Sequence, residues 1–156
     1  MRKGNSRKAL RAFSRALKLN PGNLEAHWGR ALALARLREW SKALLDLEEA
    51  LRLSPGDHRL KALRGVARLE TGDPEGALAD LEGALREGED PLLLAFAARA
   101  HLELGRPLEA EALASRALQK DPKQVLSRFI RGFIYLAEGR TSEVIEEIRT
   151  IVALHP

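Results

Sequence analysis

The chain has 156 residues, 45% of them hydrophobic and 31% charged, with a formal net charge of +4; that balance fits a folded soluble chain and argues against a disordered one. It has no cysteine, which removes disulfides, thiolate metal ligands and cysteine nucleophiles, and no uninterrupted apolar run near the ~20 residues that cross a bilayer. Aromatic residues make up only 4%, while Ala, Leu, Arg and Glu dominate, a vocabulary of helices rather than strands.

In chain order, the first predicted helix covers 5–18. Arg2, Lys3, Arg7, Lys8, Arg11, Arg15 and Lys18 precede Asn20 with no acid among them. Arg7, Arg11 and Arg15 recur at i+4 and line one stripe, widened by Lys8 and Lys18. Such a start is compatible with a targeting segment or a nucleic-acid arm, but the same residues fit the repeat of the later helices and read better as the solvent face of a terminal helix. Further helices are predicted over 23–37, 41–53, 57–70, 74–87, 91–104, 107–119, 123–137 and 141–153. Gly72, Gly105 and Gly139 end three of them, and Ser41, Pro74, Pro107 and Thr141 open the helices that follow the turns.

A small-residue signature recurs through these elements. Its markers are Ala9, Ala43, Ala77, Ala110 and Val144, spaced 34, 34, 33 and 34 residues apart. Seven residues after each stands another small or apolar residue: Ala16, Ala50, Ala84, Ala117 and Ile151. Pro21, Pro55, Pro122 and Pro156 then forbid further helix. Glu89 fills that slot in the third copy, where Pro91 supplies the break, so altered packing is expected between the third and fourth copies. Upstream, Ala31, Gly65, Ala98 and Gly132 stand where paired helices approach closely. Each unit is a helix, a tight turn and a helix, repeated near the 34-residue period of helical solenoids.

Arg64-Gly65, Gly72, Ala77, Leu81 and Ala84, and again Arg131-Gly132, Tyr135, Gly139 and Pro156, resemble the tetratricopeptide repeat pattern. The resemblance covers essentially the whole chain. It departs from that pattern at Pro74 and Pro107, which replace the turn aromatic that Trp40 supplies in the second helix of the first full repeat. It implies an all-α, right-handed superhelical solenoid of helix-turn-helix repeats, a single array over 1–156. Residues 1–21 are then the second helix of an incomplete repeat, with full repeats at 22–55, 56–89, 90–122 and 123–156. The first helix expected at the start is missing, so Leu10, Phe13 and Leu17 are expected to be uncovered, as is the apolar final helix with Val144, Ile145, Ile148, Ile151 and Val152. A fragment of a longer array, or self-association through the terminal helices, accounts for both.

The resemblance further implies a protein–protein interaction scaffold, not an enzyme, with a concave groove walled by the first helix of each repeat. Carried over position by position, the groove residues are Trp28, Leu32, Arg59, Leu63, Val66, Phe96, Arg99, Phe129, Ile130 and Phe133. The family's carboxylate clamp needs Lys, Asn or Arg where this chain has Gly29, Leu63, Phe96 and Ile130. An amphipathic helix or extended apolar segment suits the wall better, with Arg59 and Arg99 reading acidic side chains. Phe133 and Tyr135, two apart, cannot share a face, so Tyr135 is assigned to the core. The rival readings are nucleic-acid binding through Arg7, Lys8, Arg11 and Arg15, and architectural self-assembly through uncapped repeat ends. Nucleic acid is the weaker expectation, and membrane insertion is not expected.

Other chemistry has little support in the sequence. His27, His58, His101 and His155 are scattered without ligand spacing, so no metal or cofactor is expected. No phosphate-binding glycine loop or nucleophile elbow occurs. Glu48-Glu49 and Glu146-Glu147 point about 100° apart around their helices, which suits solvated faces. A cytoplasmic location is the default in the absence of a signal segment.

Overall fold

The structure is a computed structural model that describes residues 3–154, apart from the Lys3 side chain. Arg2, His155 and Pro156 therefore lie outside the described residues. Among the described residues there are nine helices and no strand: α1 (Lys3–Leu19), α2 (Leu24–Arg36), α3 (Trp40–Leu53), α4 (His58–Thr71), α5 (Pro74–Leu85), α6 (Pro91–Glu103), α7 (Pro107–Lys120), α8 (Val125–Ala137) and α9 (Thr141–Leu154). Each lies within about two residues of its predicted span, because the breakers that define the ends are local and strong.

The repeat period is written into the backbone at both ends of each first helix. Asn23, Asp57, Asp90 and Gln124 cap α2, α4, α6 and α8, each accepting hydrogen bonds from amide groups of the first turn. They satisfy donors that the helix itself cannot pair. At the other end, Arg38, Gly72, Gly105 and Gly139 occupy one repeat slot, and all four have positive φ. The left-handed residue reverses the chain into the second helix.

The chain forms two compact units, residues 1–80 and 81–156. In the first, α1 packs on α2, α2 on α3 and α3 on α4. Its core joins Ala31, Leu34, Ala43, Leu47, Ala50, Leu51, Leu60 and Ala67. In the second, α6 packs on α7, α7 on α8 and α8 on α9, with α6 also touching α8; its core joins Ala98, Ala110, Ala114, Ile130 and Ile134. The small markers Ala43, Ala77 and Ala110 are fully buried, which lets helix backbones approach closely.

Two sequence expectations are corrected here. Leu10, Phe13 and Leu17 are not left uncovered: Leu17 is buried and Phe13 half-buried, since α2 lies across them. A Cβ on Gly29 would come within 2.3 Å of the Phe13 ring, so the missing side chain at Gly29 is the seat of that ring. Glu147 is likewise not on a solvated face. It is 5% exposed, held by Arg128 at 2.9 Å and Arg131 at 3.0 Å.

Glu147 belongs to a periodic set. Arg30 meets Asp46 through two hydrogen bonds of 2.7 Å, and Arg64 meets Asp80 through two more of 2.7 Å. Arg131 and Glu147 repeat the relation with the same 16-residue offset. In the third repeat the corresponding pair is Ala97 and Leu113. Each couple ties the first helix of a repeat to its second through a buried carboxylate, and removing one member alone would strand a charge.

Candidate functional site

In the first unit the expected wall residues lie on α2 and α4. Trp28, Leu32, Leu63 and Val66 are half-buried and Arg59 is exposed. Arg59 is held in place: its guanidinium stacks over the Trp28 ring at 4.8 Å from the centroid and pairs with Asp57 at 2.8 Å. That pairing draws the Asp57 carboxyl below its ordinary range. Trp28, Arg59 and Asp57, with Leu24, Glu25 and Leu60, line a shallow cleft. Asp57 takes the Nε and Nη2 edge of Arg59, so an acidic ligand would meet the Nη1 side of the guanidinium.

In the second unit the wall residues lie on α6 and α8, which touch. Phe129 and Phe133 are 51% and 66% exposed, one helical turn apart on α8. Leu92 on α6 is also exposed and Phe96, one turn further, half-buried. Arg99 bonds Glu103 on its own helix at 2.7 Å. This face is apolar, and the arginine expected on it is already engaged.

Ile130 is not on the wall. It is 4% exposed and belongs to the second unit's core. Its repeat slot is shared with Gly29, Leu63 and Phe96, and in three of the four copies a first helix there meets the second helix before it: Gly29 seats Phe13, Leu63 packs on the α2–α3–α4 core, and Ile130 packs with Ala110 and Ala114. One helix presents two apolar stripes, and periodicity alone does not say which faces an open surface. Tyr135, 4% exposed, is a core residue as expected. Its ring lies beneath two guanidinium groups, Arg140 at 4.0 Å and Arg131 at 5.3 Å.

The basic residues Arg7, Lys8, Arg11 and Arg15 are exposed on α1, a helix without an acidic residue. Among the described residues no group of three His, Asp or Glu could share a metal ion. Among the described residues no helix is long and apolar enough to cross a membrane. The cleft between α8 and α9 is lined by Arg131, Tyr135, Ser142, Glu143, Glu146 and Glu147, whose polar groups pair with one another. Arg131 donates to Tyr135 at 2.9 Å, and Ser142 to Glu143 at 2.8 Å.

Comparison with known proteins places this geometry. A family model described as tetratricopeptide repeat matches residues 1–58, 36–92, 62–125 and 97–156. The tetratricopeptide repeat and J domain-containing co-chaperone DNJ1 of Fusarium oxysporum f. sp. lycopersici is 37% identical over 59 residues, 38% of this chain and only 11% of that protein. MamA from Desulfovibrio magneticus RS-1 has a TM-score of 0.85 at 18% identity, over 97% of this chain and 86% of its own. YrrB, described as a TPR protein with an unusual peptide-binding site, has a TM-score of 0.73 at 23% identity, over 95% and 77%. The two solved structures establish likeness of fold alone. Since the four overlapping family matches run from the first residue to the last, the chain belongs to the tetratricopeptide repeat family.

Proposed function

We propose that this chain acts as a protein–protein interaction scaffold, the role typical of tetratricopeptide repeats. We propose that the apolar face of α6 and α8 in the second unit receives an amphipathic helix or extended apolar segment of another polypeptide. The observation that carries this reading is the exposure of Phe129 and Phe133, 51% and 66%, side by side on one stripe. Large aromatic side chains left in water at adjacent turns are costly in a monomer and are the usual anchors of polypeptide recognition. Leu92 extends the face onto the neighbouring helix, while Arg99, paired with Glu103, contributes its aliphatic stem more readily than its charge. YrrB, with a peptide-binding site of its own, supports a polypeptide as the ligand class.

The test is selection of binders from a displayed peptide library, followed by titration of selected peptides against Phe129→Ala and Phe133→Ala. Each replacement is expected to weaken binding by about tenfold or more; undiminished binding to the double variant would remove this face from the account. A second reading rests on the acid-free stripe Arg7, Arg11 and Arg15 of α1, which is exposed and suits phosphate contact. It predicts steeply salt-dependent binding of single-stranded nucleic acid.

A further inference from the structure

Leu34 of α2 shares a repeat slot with Arg68 of α4 and Tyr135 of α8. Arg68 spans the space between the two helices of its repeat, donating to the Gly76 carbonyl at 3.1 Å and to Asp80 at 2.8 Å. Tyr135 fills the same space with its ring, beneath Arg140 and Arg131. Leu34 is shorter, aliphatic and buried. Above it the chain keeps an open cleft of about 320 Å³, bordered by Leu10 and Ser14 of α1 and by Lys42, Leu45 and Asp46 of α3, a volume at the lower end of ligand pockets, about 300 Å³ and upward.

The cleft is apolar inside and basic at its lip. Leu45 is 68% exposed, and the one buried acid, Asp46, is already paired with Arg30 at 2.7 Å. Lys42 donates to Glu39 at 2.6 Å, which leaves two of its three ammonium hydrogens for a ligand. Arg7, Arg11 and Lys18 are exposed and share one stripe of α1 with Ser14, at i, i+4, i+7 and i+11, so cations run along the edge that Ser14 lines. The exposure of this edge belongs to the repeat itself: Arg7 and Arg11 fall in the slots of Ser41 and Leu45, which are exposed on α3 although the first helix of their repeat, α2, is packed against it. In the fourth repeat the slots of Lys42 and Leu45 hold Glu143 and Glu146, so the basic, apolar character is particular to this cleft.

We infer that the cleft between α1 and α3 binds an acidic segment of a partner polypeptide. One apolar side chain of the segment sits on Leu10, Leu34 and Leu45, and flanking Asp and Glu residues meet Lys42, Arg11 and Arg7. Charge complementarity selects the acidic partner, since α1 contains no acid to compete for its arginines. The apolar floor selects a polypeptide over a nucleic acid: leucines line it, and no aromatic ring is present on which a base could stack. The inference stands independently of the α6/α8 face and competes with the phosphate reading of Arg7 and Arg11.

The probe is a fluorescent heptapeptide with three acidic residues on each side of a central Leu, titrated into the whole chain beside the same peptide with a central Ala and beside a single-stranded oligouridine. The Leu peptide is expected to bind, about tenfold more tightly than the Ala peptide. Leu45→Ser and Arg11→Gln are each expected to weaken its binding by about fivefold or more, while the Phe129→Ala, Phe133→Ala variant leaves it unchanged. Leu45 and Arg11 are exposed, and matching melting curves would show that both variants keep the fold. Absence of binding, or equal binding of the Leu and Ala peptides, would overturn the inference. Oligouridine binding that Arg11→Gln weakens and Leu45→Ser does not, in a chain that ignores the peptide, would also overturn it, by making a nucleic acid the occupant.

Discussion

Arg30 on α2 and Asp46 on α3 form a fork of two hydrogen bonds, both 2.7 Å long, around a carboxylate whose side chain is 4% exposed. His27 adds a contact to Asp46 of 2.9 Å and bridges to the Pro21 carbonyl at 2.8 Å, so the turn before α2 and the second helix of the repeat are fastened to one acid. Truncating Asp46 to Ala would leave Arg30 and His27 without their partner and is expected to cost about 3 kcal/mol. The third repeat shows the alternative solution, with Leu94, Ala97 and Leu113 in the slots of His27, Arg30 and Asp46. Chemical denaturation should therefore find the triple variant His27→Leu, Arg30→Ala, Asp46→Leu more stable than Asp46→Ala alone. A triple variant less stable than the single one would contradict a polar and an apolar solution to the same joint.

Gly29 and Phe13 make a second joint that allows no added carbon. Gly29→Ala is expected to destabilise the chain by about 1–3 kcal/mol through overpacking. Coupled with Phe13→Leu, the loss should be smaller than the sum of the two single losses, because one clash is relieved by the other change. Additive losses in a double-mutant cycle would mean that the two residues do not meet.

The fold was legible because the repeat period, the breaking prolines and the αL glycines at Gly72, Gly105 and Gly139 are local signals. The assignment of faces was less so. Ile130 read as a wall residue, yet a first helix in a stack has one apolar stripe against the helix before it and another toward open space; both recur with the same spacing. Glu147 read as solvated because adjacent carboxylates usually are, whereas its partners Arg128 and Arg131 come from a different helix. The 16-residue offset of Arg30–Asp46, Arg64–Asp80 and Arg131–Glu147 was the available signal, visible once the copies are laid in register. The N-caps Asn23, Asp57, Asp90 and Gln124 carry the same period and could have been found in the same way.

Arg38 occupies the slot of Gly72, Gly105 and Gly139 with φ of 62°, a region that costs a residue with a Cβ about 1 kcal/mol. Its ion pair with Glu70 spans 3.1 Å from a side chain 77% exposed, which contributes little. Arg38→Gly is expected to raise the melting temperature by about 2–4 °C. A lower melting temperature would show that the Glu70 contact outweighs the backbone strain.

Acid should remove the contribution of several surface pairs. Arg140, and then Ser142, donate to Glu143 and hold its carboxyl at about 2 instead of 4.5. Glu89, beside Lys120 and Arg116, is also lowered, as is Asp57 beside Arg59. A depressed folded-state value means that the folded chain binds fewer protons than the unfolded one. Stability from these pairs is thus complete above the ordinary carboxylate range and is lost as pH falls through it, toward about 2 for Glu143. Carbon-detected NMR titration should place the Glu143 midpoint near that value, and Arg140→Ala should return it toward 4.5; a midpoint of 4.5 in the unaltered chain would show that the pair does not persist in solution.

The most direct test of the central claim is titration of the purified chain with amphipathic peptides and with single-stranded RNA at low and high salt. A polypeptide scaffold predicts peptide binding that survives high salt and is lost in the Phe129→Ala, Phe133→Ala variant. RNA binding that collapses with salt and with neutralisation of Arg7, Arg11 and Arg15, in the absence of any peptide binding, would contradict it.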